Sequence, residues 1–158
     1  MLGTLAKWLR LLGYDTLFDP ALDDHALVRL ARAEGRILLT RDHALAARRG
    51  LRIILVVAED LEAQIAQVVS AFKPSSGPAR PGRIASRCAV CNGELALVPK
   101  ETVAARVPPY VWRTQEEFRE CQDCRRVYWR GTHWRRIAAK VAQWEGTTLK
   151  ADSSEGAR

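Results

Sequence analysis

Four cysteines in two Cys-x-x-Cys pairs, Cys88-Ala-Val-Cys91 and Cys121-Gln-Asp-Cys124, are the residues of this chain best suited to chemistry, and no cysteine is left over. Two residues between paired cysteines let one tight turn aim both thiolates at the same ion, so two such turns supply the four soft ligands of a tetrahedral site. Gly93 follows the first pair and suits the positive φ that a knuckle turn often needs. A closed four-thiolate site has no open position, so the expected ion, zinc, holds the fold and takes no part in a reaction. Two disulfides would need an oxidising compartment, whereas no secretory signal is read ahead of the domain. A thioredoxin-like redox pair would use one motif and leave the other unexplained.

A second set of candidates is acidic: Asp23, Asp24, Asp42 and Asp60. Each follows an expected strand and opens an expected helix. In a parallel sheet such loops share the carboxyl edge of the strands, where ligands bind in open α/β folds. Carboxylates gathered there offer the hard oxygen ligands of Mg²⁺ or Mn²⁺, which can activate water for phosphodiester cleavage. Asp is also a preferred helix N-cap, and taken singly each of these has that simpler explanation.

The elements that must position these groups follow from periodicity. Leu2, Leu5, Trp8, Leu9 and Leu12 fall on one helical face, with Gly13 where a C-terminal cap belongs. A short strand is expected over Tyr14 to Phe18. Asp23 or Asp24 then caps a helix ended by Gly35; Ile37-Leu38-Leu39 reads as a buried strand; Asp42 caps a short helix closed by Gly50; Ile53 to Val57 is a second buried strand; Asp60 caps a helix with Leu61, Ile65, Val68, Val69 and Phe72. Short apolar strands alternating with helices predict a Rossmann-like parallel sheet over residues 1–72. The Pro-, Gly- and Ser-rich stretch 73–86 reads as a linker. Residues 87–145 form a small zinc-bearing unit that ends in a helix from Gly131 to Trp144. Residues 146–158 have the composition of a disordered tail.

Charge separates the two parts. Through Phe72 the chain carries nine Lys/Arg against nine Asp/Glu, and the whole formal net charge of +7 comes from the remainder. In that basic part Arg113, Arg119, Arg125, Arg126, Arg130, Arg135 and Arg136 surround Trp112, Tyr128, Trp129 and Trp134. Arginine pairs with phosphate and exposed aromatics stack on unpaired bases, so single-stranded RNA is the expected partner; Arg125, Arg126, Arg130, Arg135 and Trp134 are the named candidates. The simpler account is that Tyr128 and one or two tryptophans fill a small core, and that His133 makes a core hydrogen bond. No apolar run approaches a membrane-spanning length, and the expected setting is the cytoplasm.

The motifs resemble a known family. Leu2-Gly3-x-Leu5-Ala6-x-Trp8-Leu9-Arg10-x-Leu12-Gly13-Tyr14-Asp15 and Gly35-Arg36-Ile37-Leu38-Leu39-Thr40-Arg41-Asp42 are similar to two signatures of the Mut-seven-C RNase domain family. Ser86-Arg87-Cys88-x-x-Cys91-Asn92-Gly93, and Cys121-x-x-Cys124 followed by Tyr128-Trp129-x-Gly131-x-His133-Trp134, resemble its zinc-ribbon part. The resemblance implies a PIN-like fold, a metal-dependent ribonuclease activity with Mg or Mn, and a C-terminal zinc ribbon. On that pattern Asp24, with Asp23 beside it, and Asp42 match acidic metal ligands, and Asp60 matches less closely. Members of the family open with an apolar strand ending in an Asp, which the resemblance places ahead of Met1. Two readings from other classes stay open: a catalytically inactive RNA- or ribosome-binding zinc ribbon, and a thiol oxidoreductase with one free Cys-x-x-Cys pair.

Overall fold

The computed structural model describes residues 2–72 and 86–132 together with Arg136, Ala139, Lys140 and Gln143. The chain divides into two compact units, one made of Met1–Trp8 and Leu17–Ala79, the other of Leu9–Thr16 and Arg80–Arg158.

The first unit is α/β. Helix α1 (Leu2–Leu11) contributes its residues up to Trp8, followed by α2 (Asp24–Glu34), β1 (Leu38–Thr40), α3 (His43–Ala46), β2 (Ile53–Leu55) and α4 (Leu61–Ala71). Strands β1 and β2 are parallel, with Leu38, Leu39 and Thr40 opposite Ile53, Ile54 and Leu55. Val28 and Ala31 of α2 meet Leu38 and Leu45 in one buried cluster, flanked by Leu27, Leu51 and Ile53. Each helix starts as its sequence dictates. The side chains of Asp23, Asp42 and Asp60 accept backbone N–H bonds from Ala26 (2.7 Å), Leu45 (2.9 Å) and Ala63 (2.8 Å), each satisfying a donor that the first helical turn leaves without a partner. Helix α2 ends at Gly35, whose φ of 64° lies in the left-handed region that closes a helix most cheaply with glycine.

The loop after β2 is held by two glutamines of α4. The Gln67 amide donates to Leu55 O (2.7 Å) and accepts from Val57 N (3.2 Å) and Ala58 N (3.3 Å), while buried Gln64 donates to Ala58 O (3.1 Å) and Glu59 O (3.2 Å). The Gln67 amide thus takes the place of a neighbouring peptide group on the edge of β2, whose polar groups need partners once shielded from water.

The second unit is built on an antiparallel sheet in the order β3-β4-β5: β3 (Leu95–Val98), β4 (Phe118–Cys121) and β5 (Val127–Trp129). A 3-10 turn (Lys100–Val103) and α5 (Pro109–Thr114) connect β3 to β4. Facing pairs share one side of a sheet, so Val98, Phe118 and Trp129 lie together. They close a core with Val103, Val107, Val111 and Val127. On the opposite side, Leu95 and Tyr128 pack with Cys88 and Cys121.

Three sequence expectations are changed or left outside. No strand forms over Tyr14 to Phe18. The Tyr14 N–H closes α1 by donating to Leu9 O (2.9 Å), the Thr16 N–H donates to Asn92 Oδ1 (3.0 Å), and Thr16 O accepts from Arg10 Nε (2.8 Å). A helix cap and side chains thus use the groups that a ladder would need. Of the expected C-terminal helix, Thr132, Arg136, Ala139, Lys140 and Gln143 are helical, whereas His133, Trp134 and Arg135 lie outside the described residues. The expected linker, apart from Ser86, and the tail 146–158 also lie outside them.

Candidate metal centre

The two Cys-x-x-Cys segments fold into the same turn. In the first, Cys88 O accepts from Asn92 N (2.9 Å) and Cys88 N donates to Gly93 O (2.8 Å); in the second, Cys121 O accepts from Arg125 N (3.0 Å) and Cys121 N donates to Arg126 O (2.9 Å). The residue after each second cysteine takes the left-handed conformation, Asn92 at φ 70° and Arg125 at φ 64°. This corrects the expectation for Gly93, because Asn92 makes the reversal. Glycine is required at 93 for room: a Cβ there would lie 2.8 Å from Cys121 Sγ and would strike the Asp123 carboxylate.

The turns bring all four sulfurs within 4.8 Å of one another. Cys88 Sγ lies 3.7 Å from Cys124 Sγ, and Cys91 Sγ lies 3.4 Å from Cys121 Sγ. A Zn–S bond of about 2.3 Å with tetrahedral angles sets the sulfur–sulfur edge at about 3.8 Å, so the donor set and its spacing fit zinc. Cys88 and Cys121 are fully buried, Cys91 and Cys124 exposed. Among the described residues this is the single group of three or more His, Cys, Asp or Glu side chains placed to hold a metal ion.

The four thiols are not equivalent. Burial opposes ionisation of Cys88, but the Tyr128 hydroxyl, the Cys91 and Val90 N–H groups and the Cys124 side chain outweigh it and bring the thiol down to about 7. Cys91 is pushed up to about 12, first by burial and then by hydrogen bonds to the neighbouring thiols, against a lowering contact from the Gly93 N–H. Cys88 and Cys91 are thus shifted in opposite directions. A divalent ion supplies the charge that lets all four ionise. Burial, and then the contact with Cys88, raise the Tyr128 hydroxyl above its usual value, so it remains a donor.

Each turn is braced by an arginine from elsewhere in the second unit. The buried Arg10 donates from Nη1 to Ala89 O (3.1 Å) and Val90 O (3.0 Å). Asn92 Nδ2 donates to Asp15 Oδ1 (2.7 Å), and Arg87 Nη1 to Asn92 O (2.9 Å). At the second turn Arg106 donates to the Glu120 carboxylate and to Arg125 O, and Arg125 Nη1 donates to Glu120 Oε1 (2.7 Å). Glu120 immediately precedes the turn and Arg125 immediately follows it, so this ion-pair group closes its base. The Arg106 guanidinium, then Arg125, hold the Glu120 carboxyl below the usual carboxylate range against its burial.

Arg10, Asn92, Arg106, Glu120 and Tyr128 were absent from the candidate sites read in the sequence. Of the basic candidates, Arg125 is bound to Glu120, Arg130 lies 3.7 Å from Glu117, and Arg126 is exposed. Trp129 packs into the sheet core, and Trp112 carries Lys100 Nζ 5.3 Å from its ring centroid. The acidic candidates are all exposed: Asp23, Asp42 and Asp60 are the caps described above, and Asp24 opens α2. Backbone N–H bonds from Leu45 and Ala44 lower the Asp42 carboxyl below its ordinary value. The four acids form no cluster of three ligands among the described residues.

No helix among the described residues is long and apolar enough to cross a membrane. No curated protein and no solved structure matches the chain. A family model described as the Mut7-C RNAse domain matches residues 1–141, covering the α/β unit and both cysteine turns. By that match, which points to a ribonuclease-related role, the chain belongs to the Mut7-C RNAse domain family.

Proposed function

We propose that this protein is a divalent-metal-dependent ribonuclease whose PIN-like α/β unit cleaves RNA, and whose zinc ribbon grips the strand. The observation that carries the reading is the family match across both the α/β unit and the cysteine turns. Zinc in the four-thiolate site would be structural, since the four cysteines fill its coordination.

For the cleaving metal, Asp42 and Asp60 support the reading by their topology, because they follow the adjacent parallel strands β1 and β2. In the usual geometry of α/β units, a short turn from α2 into β1 would set the first turn of α2, with Asp23 and Asp24, toward the same edge. Mg²⁺ is commonly held by one or two carboxylates together with substrate phosphates and water. A set of exposed carboxylates that does not converge in threes is compatible with that mode. Such an ion would stabilise charge on the phosphate and lower the pKa of bound water. The chain's own part is to present the side-chain oxygens of Asp24, Asp42 and Asp60 at one edge. The low carboxyl pKa of Asp42 keeps it charged at neutral pH.

RNA binding is assigned to exposed cations of the second unit, Arg126 and Arg130 first, with Arg135 and Trp134 as sequence candidates. Phosphate contacts release counterions, so affinity for single-stranded RNA should fall steeply with salt. A second reading, RNA binding without cleavage, draws on the fact that Asp23, Asp42 and Asp60 each already cap a helix. Cleavage of single-stranded RNA should be assayed with Mn²⁺, Mg²⁺ or no added ion, on this chain and on a form extended upstream by an apolar strand ending in Asp. Metal-dependent cleavage by either form supports the nuclease. Salt-sensitive binding with no cleavage by either form supports the second reading.

A further inference from the structure

We propose that Tyr128 is a positioning residue of the metal centre, its hydroxyl donating a hydrogen bond to the Cys88 thiolate that strengthens metal retention. The inference rests on the reading of the four cysteines as a zinc site. Tyr128 Oη lies 2.9 Å from Cys88 Sγ. Once the sulfur is a metal-bound thiolate it has no proton to give, so the hydroxyl must be the donor. The ring is fixed for the task. Tyr128 lies on β5 opposite Arg119 of β4, on the sheet face that carries Leu95 and Cys121, and packs against Cys88, Leu95 and Cys121.

 It is the one non-cysteine side chain among the described residues with a hydrogen bond to any of the four sulfurs.

The contact makes the four sulfurs unequal in a defined way. Cys88 is fully buried and takes the hydroxyl in addition to the N–H groups of Val90 and Cys91. Cys121 Sγ has the Cys124 N–H at 3.5 Å, and Cys91 has the Gly93 N–H. A buried thiolate that shares its charge with three donors is a poorer base and a poorer target for protons and electrophiles than an exposed one. Cys88 is therefore the ligand with the most donors and full burial, whereas Cys91 and Cys124 are exposed. Partners of this kind around metal ligands typically change affinity by about 10–100-fold.

The simpler account, that Tyr128 only fills space, is separated by Tyr128→Phe, which keeps the ring and removes the hydroxyl. The full chain, wild type and variant, is titrated with Co²⁺, and the bound Co²⁺ is then displaced by Zn²⁺. Wild-type protein that gives no tetrahedral thiolate–cobalt spectrum contradicts the zinc reading itself. If the wild type gives that spectrum, the proposal expects the variant to keep the tetrahedral d–d bands, to bind Co²⁺ about tenfold or more weakly, and to show its sulfur-to-cobalt charge-transfer band at lower energy, as a thiolate without its donor is easier to oxidise. Equal affinity and an unmoved charge-transfer band overturn it. A measurement on unmutated protein guards against a variant that does not fold. In the ¹¹³Cd-loaded chain the Tyr128 hydroxyl proton should be slow to exchange and scalar-coupled to the metal through Cys88 Sγ; a freely exchanging, uncoupled proton also overturns the proposal.

Discussion

Asn92 and Arg125 occupy the same position in two separate turns: each follows the second cysteine of its pair, and each holds a left-handed backbone, at φ 70° and 64°. Asparagine tolerates that region far better than arginine. Arg125 is kept there by its side chain on Glu120 and by Arg106 on its carbonyl. Replacing Arg125 by alanine loses the ion pair and keeps the backbone penalty, whereas glycine loses the ion pair and relieves the penalty. Arg125→Gly should therefore be more stable than Arg125→Ala by about 1 kcal/mol, read by denaturant unfolding of the zinc-loaded protein. Equal stability would show that the backbone at 125 is unstrained.

Gly93→Ala should damage the metal centre. The new Cβ falls 2.8 Å from Cys121 Sγ and against the Asp123 carboxylate. Forcing a methyl group into a tight site costs about 1–3 kcal/mol, so zinc affinity should drop by roughly ten- to a hundredfold. Competition with a chromophoric chelator measures it. Wild-type affinity in the variant would mean that the two turns can move apart.

The Glu120 ion-pair group gives a pH signature. The carboxyl is lowered in the folded protein, chiefly by Arg106. Its stabilisation is therefore complete above the ordinary carboxylate range and is lost as pH falls through the lowered value. Wild type should be more stable than Glu120→Gln at neutral pH, and the gap should close on acidification below the usual glutamate range. Unfolding at fixed zinc concentration, compared pairwise at each pH, cancels the loss of zinc that both proteins share. A gap that stays constant with pH would assign Glu120 a packing role alone.

The features legible in the sequence were those set by near neighbours. Asp23, Asp42 and Asp60 could be read as caps because each bonds an N–H three residues on. The cysteine turns were legible because both ligands of a pair lie within one reversal, with hydrogen bonds that span four or five residues. What escaped depends on distant partners. The groups of Tyr14 to Thr16 read as a strand by composition, yet Thr16 finds its partner in Asn92, 76 residues away. Arg10 sits in an otherwise apolar helical pattern and reaches carbonyls 79 and 80 residues on. The bond of Arg125 to Glu120 across the turn was not legible either, because nothing in the sequence pairs those two residues. For Gly93 the residue type was right for a different reason, since closeness to Cys121 and not backbone hand requires it.

The account of catalysis turns on Asp42, and Asp42→Asn tests it most directly. Asparagine caps a helix about as well as aspartate, so the bond to Leu45 N and the fold should survive, while the charge that would hold Mg²⁺ or Mn²⁺ is gone. The decisive measurement is Mn²⁺-dependent cleavage of single-stranded RNA by the wild type and by Asp42→Asn, each checked for retained zinc and unchanged unfolding, and each also prepared with the upstream strand. The account predicts cleavage that falls by at least about a hundredfold in the variant, the loss expected when a metal's several kcal/mol of charge stabilisation is removed, with RNA binding intact. A folded Asp42→Asn protein that cleaves as fast as the wild type would contradict it and leave Asp42 as a helix cap alone.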